Sequence, residues 1–116
     1  MSKNMRKPLV CILQNQAEPH LLAEICAGLE EEGVAYAVRE GQGSALELAH
    51  AAALQSLLQV GVGLAIDGAT GIAGVALQIR NLPPDRPVFH IIGDDPQAYR
   101  RLGTNAARAV KGDVFT

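Results

Sequence analysis

Glu24, Gly28 and Glu31 recur at helical spacing, so they share one helix face, on which a side-chain-free notch lies between two carboxylates opposite the apolar stripe. Oxygen donors of this kind suit a hard cation, Mg²⁺ or Ca²⁺, or the guanidinium of an arginine. Glu30 and Glu32 flank Glu31, and the run falls in the last turn of the helix. At that negative end of the helix dipole each carboxylate is disfavoured by about 0.3–1 kcal/mol, and the three also repel one another. One domain supplies too few ligands here to complete a coordination sphere. The cluster therefore reads either as a solvated acidic face or as a docking face that a partner completes.

A basic group lies near the other end of the chain: Arg100, Arg101, Arg108 and Lys111. Lys111 and Arg108 suit the final turn of a helix, where cations meet the dipole favourably. Thr104-Asn105, polar within an apolar-periodic stretch, reads as the cap of a local break or as a contact for a partner. His20, His50 and His90 stand apart from one another, and neither a metalloprotease helix motif nor a nucleophile elbow is present. No catalytic constellation is expected, and hence no enzymatic activity of the chain's own. Gly61-Val62-Gly63 lies inside a strand pattern, whereas a dinucleotide fingerprint needs a strand-to-helix turn. Cys11 and Cys26 sit in apolar runs without metal-ligand spacing and read as reduced core residues.

The elements that must position these residues follow from periodicity. Pro8 to Gln14 is an unbroken apolar strand, and Pro19 opens a helix whose apolar positions Leu21, Leu22, Ile25, Cys26 and Leu29 run to Gly33. Val34 to Arg39 is a second strand. Ser44 with Glu47 is a capping-box signature for a second helix that reaches about Gln59. In Val60 to Ile66 aliphatic residues alternate with Gly61, Gly63 and Ala65, so one face of this strand is nearly bare backbone and invites a close neighbour. Asp67-Gly68 begins a hairpin turn to a fourth strand ending at Ile79, and Val88 to Ile92 is a fifth. Asp94-Asp95-Pro96 starts a last helix ending at Gly112, with Gly103-Thr104-Asn105 a candidate break. Helical crossovers make the first three strands parallel. The fold expected over residues 1–116 is one α/β domain, a three-layer α/β/α arrangement with a five-strand mixed sheet of order 2-1-3-4-5, strand 4 antiparallel, and residues 1–7 flexible.

Composition narrows the function classes. With 48% hydrophobic and 19% charged residues in 116, the chain folds rather than remaining disordered. A net charge of −2 and an aromatic content of 3% give neither a field nor a stacking platform for nucleic acid. No apolar run reaches the ~18 residues of a membrane span, and no signal peptide precedes the first strand, so a cytoplasmic protein is expected. The charge is unevenly spread. Glu18, Glu24, Glu30, Glu31, Glu32, Glu40 and Glu47 face a single cation, Arg39, over residues 18–47, while Arg80, Arg86, Arg100, Arg101, Arg108 and Lys111 outnumber the acids over residues 80–112. That asymmetry suggests a partner or an assembly.

Gly28-Leu29-Glu30-Glu31-Glu32-Gly33-Val34 and Leu102-Gly103-Thr104-Asn105-Ala106-Ala107-Arg108-Ala109-Val110-Lys111-Gly112, with Val60 to Ile66 and Asn81-Leu82-Pro83-Pro84, resemble the small subunit of the diol and glycerol dehydratase-reactivating factors. The resemblance covers roughly residues 8 to 112. It implies a chaperone-like role: with a large ATPase subunit, in a heterotetramer of two large and two small subunits, releasing damaged cobalamin from an adenosylcobalamin-dependent dehydratase. The small subunit would exchange transiently with the dehydratase medium subunit on the dehydratase large subunit, and ATP and ADP would belong to the large ATPase subunit. The resemblance also implies a divalent metal at the inter-subunit interface with Glu31 as a ligand. Glu24, Gly28, Glu30, Glu32, Arg101, Asn105 and Arg108 would form the surrounding contact. It leaves open diol or glycerol dehydratase as client and association with a bacterial microcompartment. Two alternatives stand beside it: the medium subunit of the dehydratase, which shares these motifs but generally has a long N-terminal extension, and a stand-alone ligand-binding α/β domain with a nucleotide-sized pocket.

Overall fold

The structure, a computed structural model, describes residues 7–116. For residues 1–6, the expected flexible lead lies outside the described residues. The elements run β1 (Val10–Asn15), α1 (Pro19–Glu31), β2 (Tyr36–Glu40), α2 (Ala45–Gln55), β3 (Val60–Ile66), β4 (Ala73–Ile79), β5 (Phe89–Ile92) and α3 (Pro96–Lys111). The sheet order is β2-β1-β3-β4-β5. β1 pairs parallel with β2 and β3, and β4 pairs antiparallel with β3 and β5, as the sequence predicts.

Strand alternation divides the core into two layers. Val10 and Ile12 pack with Leu21, Ile25 and Leu29 of α1 and Leu102 and Ala106 of α3, while Cys11 and Leu13 point the other way, to Ala45, Leu48 and Ala52 of α2. The bare face of β3 receives α2. A Cβ on Gly61 would lie 2.1 Å from the Ala53 amide nitrogen, and one on Gly63 would lie 2.1 Å from the Ala45 carbonyl, so the helix seats directly on strand backbone. Burial pushes the Cys11 thiol up to about 11, against the lowering influence of Arg39, and raises that of Cys26; both are free cysteines.

Boundaries agree within a few residues, and the departures have local causes. β2 begins at Tyr36 because the preceding residues finish α1. Gly33, at φ 73°, donates to the Glu30 carbonyl and Val34 to that of Leu29, closing a Schellman motif in which Val34 joins the core beside Leu29. α2 stops at Gln55, short of Gln59. The Ser56 hydroxyl donates to the Leu9 carbonyl at 2.6 Å and accepts from the Leu58 amide, leaving Ser56 extended at ψ 129°.

The expected break at Gly103-Thr104-Asn105 does not occur, and α3 is continuous. Thr104 bonds its hydroxyl to the Arg100 carbonyl one turn back at 3.2 Å, and Gly103 is buried against α1. Beyond α3 the chain folds back. Arg108 donates to the Val114 carbonyl at 3.0 Å, the Thr116 amide donates to Asn105 Oδ1 at 2.8 Å, and Phe115 meets Phe89 edge to face at 5.3 Å.

Candidate functional site at the α1 and α3 crossing

The acidic and basic groups separated in sequence meet where α1 crosses α3. A Cβ on Gly28 would stand 2.4 Å from the Arg100 carbonyl and 2.7 Å from the Thr104 amide. One on Gly103 would stand 2.2 Å from the Ile25 carbonyl, so each helix offers a glycine to the other's backbone. The Gly28 notch is therefore not open to a partner, as the sequence suggested, but is filled by the chain's own α3. Gly28 is buried.

This close crossing brings the charged side chains together. Arg100 Nε donates to Glu24 Oε1 at 2.8 Å and its Nη1 donates to Glu31 Oε2 at 3.0 Å, so one guanidinium spans the two carboxylates on either side of Gly28. Lys111 donates to Glu32 at 2.9 Å, with Arg108 3.9 Å from the same carboxylate. Tyr36, first residue of β2, donates to Glu30 Oε2 at 2.5 Å. The Lys111 hydrogen bond, helped by the charges of Lys111 and Arg108, holds Glu32 below the usual carboxylate range. The Tyr36 hydroxyl is raised, chiefly because it donates to Glu30 and partly because it is shielded from water. The cluster, read from sequence either as a solvated acidic face or as a docking face completed by a partner, is thus a network of intrachain pairs.

The predicted site residues separate accordingly. Glu30, Glu31 and Arg101 remain exposed, whereas Glu24, Glu32 and Arg108 are half-buried in pairs and contacts within the chain. Asn105 is 3% exposed and clamps the C-terminal tail, so like Gly28 it faces inward instead of toward a partner. Arg100 was missed as a site residue by sequence reasoning. Its signal was present in the Glu24 and Glu31 spacing, one carboxylate on each side of a glycine, but not the identity of the cation. Among the described residues no group of three His, Cys, Asp or Glu side chains gathers to hold a metal. Glu31, its side chain 60% exposed and its Oε1 unbonded among the described residues, could contribute one carboxylate to a cation whose other donors lie elsewhere.

A second feature lies at the opposite end of the sheet, where β1 and β3 end side by side and the chain turns from one face to the other. A cleft of about 780 Å³ opens there, lined among others by Asn15, Gly43, Ser44, Asp67, Ile72 and Ile92. Such crevices take ligands in open α/β sheets. Its phosphate-binding capacity is poor, however. The Glu47 amide at the start of α2 is spent on the Ser44 hydroxyl in a complete capping box, and Asp67 adds a carboxylate to the lining.

The sheet order, the two core layers and the charged helix crossing define a three-layer α/β protein. The chain belongs to the dehydratase medium subunit family, whose model matches residues 7–116. Within that family it is similar to the propanediol dehydratase-reactivating factor small subunit of Citrobacter freundii, with 31% identity over 99% of this chain and 96% of that protein. Two solved structures are also alike at 33% identity over 95% of this chain. A diol dehydratase-reactivating factor complexed with ADP and Mg²⁺ has a TM-score of 0.79 with 98% of its chain covered, and a glycerol dehydratase reactivase has 0.80 with 97%.

Proposed function

We propose that this chain is the small, non-catalytic subunit of a dehydratase-reactivating factor and acts as a chaperone for an adenosylcobalamin-dependent diol or glycerol dehydratase. The observation that carries the reading is likeness to reactivating-factor small subunits over nearly the whole of both chains. Its large-subunit partner supplies ATP binding and hydrolysis, in a complex of two large and two small subunits. Exchange of this chain for the dehydratase medium subunit loosens the damaged enzyme, so that spent cobalamin leaves. The match to the dehydratase medium subunit family supports the exchange, since a chain built like the medium subunit would fit the same surface of the dehydratase large subunit.

Glu31 fits a role at the junction with the large subunit. Its side chain is 60% exposed, it stands at the negative end of α1, and among the described residues only its Oε2 is hydrogen-bonded. A divalent cation bound there would join carboxylates across the interface, with Glu30 and Arg101 on the surrounding surface. Replacing Glu31 by Gln keeps the shape and removes the charge that a hard cation selects. In calorimetric titration against the large subunit, Glu31→Gln is expected to weaken association by roughly tenfold or more and to abolish its dependence on Mg²⁺. Unchanged affinity with and without chelator removes Glu31 from the interface.

The function itself is tested by mixing inactivated dehydratase with the complete factor and Mg-ATP and following labelled chain by native mass spectrometry. Label appearing with the dehydratase large subunit as activity returns on adding fresh cobalamin is the expected result. Recovery without transfer overturns the exchange. Restoration by this chain alone of a dehydratase lacking its medium subunit would instead favour the enzyme-subunit reading.

A further inference from the structure

Among the described residues the sheet ends in two edges, β2 and β5, and they are built differently. β2 carries Arg39 and Glu40, and charge on an edge strand discourages another strand from pairing with it. β5 has no Lys, Arg, Asp or Glu. Phe89 and Ile91 turn toward the core shared with α1 and α3, while His90 and Ile92 turn to the other face, which α2 leaves bare at this edge. There Ile92 is 72% exposed, and Ile72, just before β4, is 48% exposed.

The free backbone groups of β5 fix how another strand can join it. Val88 donates to the Leu77 carbonyl at 2.9 Å and Gly93 to the Ala73 carbonyl at 2.8 Å, so both amides are spent on β4. Antiparallel pairing alternates: with Gly93 turned to β4, the N–H and C=O of Ile91 turn the same way and those of His90 and Ile92 point outward. A second β5 lying antiparallel uses the outward groups of both copies in a single register, with His90 opposite Ile92 of the other copy and the two-fold axis at Ile91. That register sets Asp94 opposite Val88 of the other copy and diagonal to its Arg86, within reach of the long side chain. Arg86 and Asp94 are both exposed, and neither has an ion-pair partner among the described residues.

We infer that β5 is a self-association edge whose occupant is β5 of a second copy of this chain, joined antiparallel so that the two sheets run on as one. The unpaired charges favour a second copy over other strands. A strand that answers both must carry a cation before its amino end and an acid beyond its carboxyl end, and β5 is itself such a strand, between Arg86 and Asp94. The contact is isologous. Ile91 meets its own copy on the α3 side and Ile92 meets His90 on the other, so each face of the junction gains apolar contact. So short a strand buries little area beside what a permanent dimer needs, which makes the pairing concentration-dependent. β5 lies at the edge opposite β2, beside which α1 presents Glu30 and Glu31, so the pairing leaves that surface uncovered.

Sedimentation velocity of the full chain over a concentration series measures the association, with circular dichroism melts of each variant. The native chain is expected to pass from monomer to dimer as concentration rises. Arg86→Asp and Asp94→Arg each set like charges together at both ends of the junction and should weaken dimerisation by roughly tenfold. Mixed in equal amounts, the two variants restore opposite pairs at both ends, and the dimer should return as a heterodimer. Ile92→Lys, which charges the edge, should leave the chain monomeric. Should either reversal lose its cooperative melt, Ile92→Lys carries the test. A native chain that stays monomeric throughout overturns the inference, as does a dimer indifferent to all three substitutions or a mixture that associates no better than its components. Protection of the His90 and Ile92 amides from hydrogen exchange only when the large subunit is added gives the edge to that partner and overturns the inference too.

Discussion

Glu32 shows how much the partner of a charge matters. In isolation it is a carboxylate at the wrong end of a helix, yet Lys111 reaches it from the end of α3 at 2.9 Å and lowers its pKa. Because the folded value lies below the unfolded one, the contribution to stability is present above the ordinary glutamate range and is lost as pH falls through the folded value. Glu32→Gln is therefore expected to lower the urea midpoint at neutral pH and to converge on the native chain as pH falls through the folded value of Glu32, as read from paired denaturation curves. The two cysteines, by contrast, were legible from their apolar neighbours alone. Their environment is set by the adjacent strand and helix pattern, whereas that of Glu32 is set by a residue 79 positions away.

At the scale of elements, the α1 and α3 contact rests on Gly28 and Gly103. Alanine would favour either helix by about 0.8–1 kcal/mol. At Gly28, however, the added carbon meets the backbone of α3, which has no rotamer to change. Overpacking of this kind costs about 1–3 kcal/mol, so Gly28→Ala should be destabilising on balance, by up to about 2 kcal/mol in thermal or urea unfolding. It should also separate Arg100 from Glu24 and Glu31. Gly68→Ala, with nothing within 4 Å of the added carbon, is the matched control and should lie within about 0.5 kcal/mol of the native chain. Helix and strand periods located every element, and the capping box at Ser44 and the stop at Gly33 were readable as local chemistry. The break expected at Gly103 was not found, because the glycine that weakens α3 as an isolated helix is the one its packing on α1 requires.

For the whole molecule, the two ends of the sheet carry different features. The carboxyl ends of β1 and β3 frame the cleft, while α1 delivers Glu30, Glu31 and Glu32 at its own far end, beside the start of β2. The C-terminal tail joins α3 to β5 through Asn105 and Phe115. Phe115→Ala should lower stability by about 0.5–1.5 kcal/mol, the range of an edge-to-face aromatic pair, measured by thermal unfolding. A loss much below that range would mean that the tail contributes little to the fold. By itself the sequence determined the element order, the parallel and antiparallel pairings, the sheet order and a bare face on β3 that a close neighbour must cover. Each follows from short-range periodicity together with the handedness and length of connections. Only the tertiary structure decided that α2 is that neighbour of β3, that the acidic and basic regions neutralise one another within one chain, that Gly28 and Asn105 face inward, and that Arg100 holds Glu31. Which opposite charges meet depends on the rotation and separation of two helices remote in sequence, and these are set by backbone contact at two glycines that no local pattern pairs.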